Sequence, residues 1–94
     1  MTGGPTAERV VTIVNRRGLH ARAAAKLVNL AEQFEAEVLV SHDDQSVSAR
    51  SIMGLMMLGA GQNARVTLSG GGSDAADAVA AIEGLIVAGF HEDD

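Results

Sequence analysis

RVVTIVNRRGLHARAAAKLVNLAEQF, residues 9–34, changes its periodicity partway along. Arg9 to Val14 is rich in β-branched residues and reads as a strand, with Val11 and Ile13 on one face and Thr12 on the other. Asn15 to Gly18 turns the chain. From Ala21 to about Phe34 the spacing is helical: Ala24, Leu27, Ala31 and Phe34 share a face, Val28 widens it, and Glu32 and Glu35 point away. The junction between the two periods holds a histidine flanked by arginines.

Working outward, Glu37 to Ser41 reads as a second strand, residues 42–45 as a polar turn, and Ser46 to Ala49 as a weak third strand closing a hairpin. Ser51 opens a short helix, Ile52 to Leu58, that Gly59 and Gly61 end. Leu55 and Leu58 are its core candidates. Ala64 to Ser69 alternates, with Val66 and Leu68 inward, and Gly70-Gly71-Gly72 reads as a loop. Asp74 caps a final helix, with Asp77 three residues on. Ala78, Ile82, Leu85 and Gly89 form its inner face, and Gly84 costs it roughly 1 kcal/mol relative to alanine. The order β-α-β-β-α-β-α predicts an α+β domain, one open sheet with its helices on one face. Residues 1–8 read as a flexible leader and 91–94 as a frayed acidic tail.

Ninety-four residues leave room for one small domain. Hydrophobic residues make up 47% but aromatic ones only 2%, so aliphatic side chains must fill the core. The absence of cysteine excludes a disulfide scaffold, a zinc–thiolate site and a thiol nucleophile, and suits a reducing compartment. A net charge of -5 argues against general nucleic-acid binding. Residues 1–30 nevertheless carry Arg9, Arg16, Arg17, Arg22 and Lys26 against Glu8 alone, which points to a local anion site. No signal peptide and no membrane-spanning run is visible, and a soluble cytoplasmic protein is expected. His42 and His91 lie in polar stretches without a paired ligand, so no metal site is expected. Gly59-Ala60-Gly61-Gln62-Asn63-Ala64 follows a helix, the wrong context for a dinucleotide fingerprint, and no Gly-Lys-Ser/Thr follows the triple glycine.

His20 falls at the first turn of the predicted helix. The first helical N–H groups lack internal partners and carry about half a positive charge from the dipole. An anion held there meets backbone donors, the fixed charge of Arg22, and Arg16 and Arg17 just before it. Those are the requirements of a phosphoryl group landing on an imidazole nitrogen. On these residues alone, a structural cap or a surface histidine is the commoner role.

The run Asn15-Arg16-Arg17-Gly18-Leu19-His20-Ala21-Arg22-Ala23-Ala24 resembles the active-site motif of HPr, the histidine-containing phosphocarrier of the phosphoenolpyruvate-dependent phosphotransferase system. Ala49-Arg50-Ser51-Ile52-Met53-Gly54-Leu55-Met56-Met57-Leu58 is similar to that family's regulatory-serine segment. The spacing and element order fit over residues 9–90. The resemblance implies an open-faced sandwich, a four-stranded antiparallel sheet with three helices on one face. It implies that His20 accepts a phosphoryl group on Nδ1 from phosphorylated enzyme I and passes it to a histidine of an enzyme IIA protein. Arg22 and the backbone of Ala21 and Arg22 would stabilise the group. The protein would be a phosphotransfer intermediate without independent turnover, using no cofactor and no metal at its own site.

The chain departs from the family where Ala23 stands in place of the usual proline, which frees one N–H and loosens the helix start. Met57-Leu58 and the Gly-Phe-His-Glu-Asp ending lean towards the nitrogen-related regulatory branch. Ser51 reads as an N-cap, and in the family also as a target of HPr kinase/phosphorylase. Ile52, Met53, Met56 and Met57 cannot all be buried on so short a helix; Met53 and Met56, with Ala21 and Ala25, are the expected docking residues. An alarmone synthetase/hydrolase is a further expected partner, and a monomer the expected state. A binding-only regulator controlled by the state of His20 or Ser51, and a small anion-binding module outside any relay, are the alternative readings.

Overall fold

A computed structural model describes residues 6–92. The elements are β1 (Thr6–Thr12), α1 (Ala21–Ala31), β2 (Glu37–His42), β3 (Gln45–Ser48), α2 (Ile52–Met57), β4 (Arg65–Gly71) and α3 (Ala75–Val87), followed by a 3₁₀ turn at Gly89–His91. The strands form one antiparallel sheet in the order β1-β4-β2-β3, and the three helices cover one face of it. This is the expected open-faced sandwich.

The alternation within the strands produces that one-sided packing. Val11, Val38, Val40, Val66 and Leu68 point inward and are buried, as is Ile13 just past β1. They meet Leu27 and Val28 of α1, Leu55 of α2, and Val79, Ile82 and Ile86 of α3 in one continuous core. Leu55 and Leu58 are buried as expected. No helix among the described residues is long and apolar enough to cross a membrane.

Several local expectations need correcting. β1 begins at Thr6, inside the expected leader, because Thr6, Ala7 and Glu8 pair with Gly71, Gly70 and Ser69. Residues 1–5 of that leader lie outside the described residues. Gly70 and Gly71 are strand residues, paired on both sides, and only Gly72, at φ +132°, makes the turn. The lack of a side chain at Gly70 is what lets α3 close down there: a Cβ would sit 2.9 Å from Val79 Cγ2. α1 ends at Ala31, and bonds from Gln33 N–H to Leu30 O and from Phe34 N–H to Ala31 O tighten the chain into a corner.

That corner takes the carboxylate expected to cap α3. Asp74 makes no side-chain cap bond; its two oxygens accept from Glu35 N–H (2.9 Å) and Ala36 N–H (2.8 Å). Two backbone donors from another segment outcompete the helix's own first turn. On α3 the buried residues are Ala75, Ala78, Val79, Ile82 and Ile86, while Leu85 and Gly89 are only half-buried.

Candidate functional site

The turn after β1 is built to deliver one side chain to one helix end. Asn15 is buried, its Nδ2 donates to Gly18 O (2.9 Å), and Gly18 N–H returns a bond to Asn15 O (3.2 Å). Gly18 has φ +65°, and a Cβ there would lie 2.4 Å from Ala60 O, so the turn lies flat on the loop before β4. Leu19 is buried beside it and its N–H donates to Ala60 O (3.0 Å). His20 follows as the N-cap of α1, with extended backbone angles of φ -74° and ψ 177°.

In this position the ring faces the helix terminus. His20 Nδ1 accepts from Arg22 N–H at 3.3 Å. Arg22 and Ala21 are exposed on the first turn, and Arg16 and Arg17 are exposed on the preceding loop. Exposed arginines and the first turn of α1, whose Arg22 N–H already bonds Nδ1, therefore surround this ring nitrogen.

The other ring nitrogen is engaged by a residue the sequence reading assigned to a frayed tail. His20 Nε2 lies 2.5 Å from Glu92 Oε2, and Glu92 Oε1 accepts from Asn15 Nδ2 at 3.1 Å. The Glu92 side chain is only 6% exposed. Phe90 is fully buried and Lys26 Nζ donates to Phe90 O (2.6 Å), so the chain after α3 is pinned on both sides. Burial alone would push the Glu92 carboxyl up. The bonds from His20 and Asn15, with the nearby charge of Lys26, outweigh it and hold the carboxyl below its ordinary value. The signal for this anchoring was Phe90, one of two phenylalanines in a chain without Trp or Tyr, placed immediately before the polar His91-Glu92 stretch. Residues 93 and 94 of the tail lie outside the described residues.

Ser51 occupies a separate helix start. Its Oγ accepts from Gly54 N–H (2.9 Å), the N-cap role expected of it, and it is not bonded to the His20 cluster. Met53 and Met56 of the expected docking set are exposed, and so are Ile52 and Met57, the last at 73%. Ala25 is half-buried. α1 and α2 pack against each other, which places this apolar surface on the same helical layer as His20. His42 contacts Arg65 O and Asp43, away from His20, and His91 is exposed. Among the described residues no three His, Cys, Asp or Glu side chains gather as a metal site.

The wider grooves lie elsewhere, one over β1, β4 and β2 and one between α1 and α3. A smaller polar cleft, lined by Asn15, Arg16 and Glu92 among others, lies beside the His20 partners, and the His20 side chain is 20% exposed.

Residues 7–88 match the family described as PTS-HPr, PTS HPr component phosphorylation site. The chain is 48% identical over 85 residues to phosphocarrier protein NPr of Shewanella violacea, covering 90% of this chain and 93% of that protein. It is 47% identical over 85 residues to phosphocarrier protein HPr of Cupriavidus necator, covering 90% and 96% respectively. Among solved structures, HPr-C-His from Thermoanaerobacter tengcongensis superposes with a TM-score of 0.89 at 41% identity, covering 94% of this chain and 99% of that one. A histidine held at a helix start, in this fold and across the whole domain, places the chain in the HPr family of phosphocarrier proteins of the phosphotransferase system.

Proposed function

We propose that this protein carries a phosphoryl group on His20 Nδ1, taken from phosphorylated enzyme I and passed to a histidine of an enzyme IIA protein. The observation that carries the reading is the placement of Nδ1 against the first-turn N–H of α1. When Nδ1 bonds to phosphorus it releases the Arg22 N–H, which is then free to donate to a phosphoryl oxygen together with the Ala21 N–H. The Arg22 guanidinium supplies a mobile positive charge beside them. Positioning and charge stabilisation are the main demands of phosphoryl transfer, and both are provided without a metal or nucleotide at this site. The carrier is an intermediate in the relay and has no turnover of its own.

Ala23 is compatible with this chemistry, since α1 starts at Ala21 without the family's usual proline. The likeness to phosphocarrier proteins NPr and HPr supports the carrier role, which this reading sets in a regulatory relay in the cytoplasm. The exposed Ile52, Met53, Met56 and Met57 surface, with Ala21 and Ala25, is the docking face in this reading. The same surface favours a second reading, in which phosphorylation of Ser51 by an HPr kinase/phosphorylase, or the state of His20, controls binding to a regulated protein such as an alarmone synthetase/hydrolase. The protein works as a monomer in either case.

The test is incubation with enzyme I, magnesium and phosphoenolpyruvate, followed by intact mass at neutral pH, beside His20→Ala. One acid-labile phosphate on the wild type and none on the variant is the expected result. No added mass, with the same enzyme I active on another carrier, overturns the carrier reading and leaves the binding-only regulator.

A further inference from the structure

The His20 ring is held at both nitrogens, and the two contacts differ in kind. Nδ1 accepts from Arg22 N–H and so presents a lone pair. Nε2 faces a carboxylate oxygen of Glu92 at 2.5 Å, a contact that is attractive only when the nitrogen carries a proton. Both contacts are satisfied together by one neutral tautomer, that with its proton on Nε2. Glu92 is itself held: Asn15 Nδ2 bonds its other oxygen and also bonds Gly18 O, so one buried amide ties the carboxylate to the turn that delivers His20.

We infer that Glu92 is a positioning residue whose carboxylate keeps a proton on His20 Nε2 and thereby commits Nδ1 to receive the phosphoryl group. The identity of the arriving group rests on the phosphocarrier reading above; the tautomer does not. In the transfer the Nδ1 lone pair forms the new N–P bond while the donor histidine's P–N bond breaks and its electron pair returns to the donor ring. No proton leaves His20. The ring becomes an imidazolium whose Nε2 proton stays in the bond to Glu92, so the new positive charge faces a carboxylate. On the onward step the same proton lets His20 depart as neutral imidazole. Among the described residues, the other titratable or charged groups around the pair are Lys26 of α1, bonded to Phe90 O, Arg16 beside Glu92 in a polar cleft, Arg22 on the first turn, and the exposed His91 that precedes Glu92; none of these is a carboxylate.

The test uses the full chain and Glu92→Gln, which keeps the size, removes the charge, and offers an amide able to bond either tautomer. Both proteins are phosphorylated with potassium phosphoramidate, which needs no protein donor. They are then followed by ³¹P and ¹H–¹⁵N NMR from about pH 5 to about pH 9, the range in which imidazoles titrate. The wild type is expected to show the Nε2-protonated tautomer, and the variant to lose that preference. Because protonated phosphohistidine loses phosphate faster, the variant's dephosphorylation profile should move to lower pH by about one unit, the lower end of what a contacting opposite charge supplies. Phosphoryl uptake from enzyme I should slow roughly tenfold for such a shift. A purely structural role would instead lower the urea midpoint and leave the tautomer and pH profile unmoved. Glu92→Asp retains the charge at greater distance and should fall between the two. Coincident tautomer patterns and pH profiles in variants of wild-type stability overturn the inference. A wild type that phosphoramidate labels but enzyme I does not would count against the carrier reading, with the Glu92 test still standing.

Discussion

Phe90 offers a prediction in which the usual order of two substitutions is reversed. Its side chain is fully buried, yet its backbone lies at φ 57° and ψ 24°, in the left-handed region. Left-handed backbone costs an L-residue roughly 1–2 kcal/mol, which the buried ring must offset. Phe90→Ala removes the ring and keeps the strain, so it should lose the full cost of a truncated core aromatic, about 3–5 kcal/mol. That is a large share of the ~5–15 kcal/mol that stabilises a typical domain. It corresponds to a fall in melting temperature of at least ~12 °C for a chain of this size. Phe90→Gly removes the same ring but relieves the strain. At most buried sites glycine is worse than alanine by roughly 0.5–1 kcal/mol. Here glycine should be the better of the two by about 1 kcal/mol, because alanine at positive φ loses more than chain entropy returns. The chain has no Trp or Tyr, so the assay is urea unfolding followed by far-ultraviolet circular dichroism. A Phe90→Ala protein clearly more stable than Phe90→Gly, or one that costs under about 1 kcal/mol, would refute both the left-handed turn and the anchoring role.

Gly18→Ala combines positive φ with a Cβ 2.4 Å from a backbone oxygen that cannot easily retreat, and a loss of about 2–4 kcal/mol is expected by urea unfolding, together with a shifted His20 ring resonance. Bonds from the Glu35 N–H first, and then from Ala36 N–H with the charge of Arg50 beyond, hold the Asp74 carboxyl below its ordinary 3.8. Its contribution is therefore complete above that value and is lost as pH falls through the lower folded-state value, so Asp74→Asn should flatten the acid limb of the stability curve in thermal melts taken below about pH 4. Ser51→Ala should cost about 1 kcal/mol through loss of the bond to Gly54 N–H and leave phosphorylation of His20 intact by mass.

The parts of the fold that were legible are those set by nearest neighbours along the chain. Alternation placed Val11, Val66 and Leu68 inward, and helical spacing placed Leu27 and Ala31 inward, because period alone decides which side a residue faces. The position of His20 and Arg22 at the start of α1 was readable because a helix start is a local object. What escaped the reading depends on partners far away in sequence. Nothing near Asp74 announces that its acceptors are needed by Glu35 and Ala36, and nothing near Gly70 announces Val79 above it. Glu92 was lost for the same reason. An acidic residue near the end of a charged stretch looks solvated until the opposite end of the domain supplies a histidine and an amide.

The contact between His20 and Glu92 spans 72 residues. Contacts of such separation carry the loop-closure cost of the intervening chain and tend to close late in folding. A molecule whose sheet and first helix have formed, but whose last turn has not docked, displays the histidine without its carboxylate. On the inference above such a molecule accepts phosphate slowly, while one that has docked Phe90 accepts it readily. If Glu92 acts as inferred, loading would favour chains that have completed folding, by roughly the tenfold difference expected for Glu92→Gln.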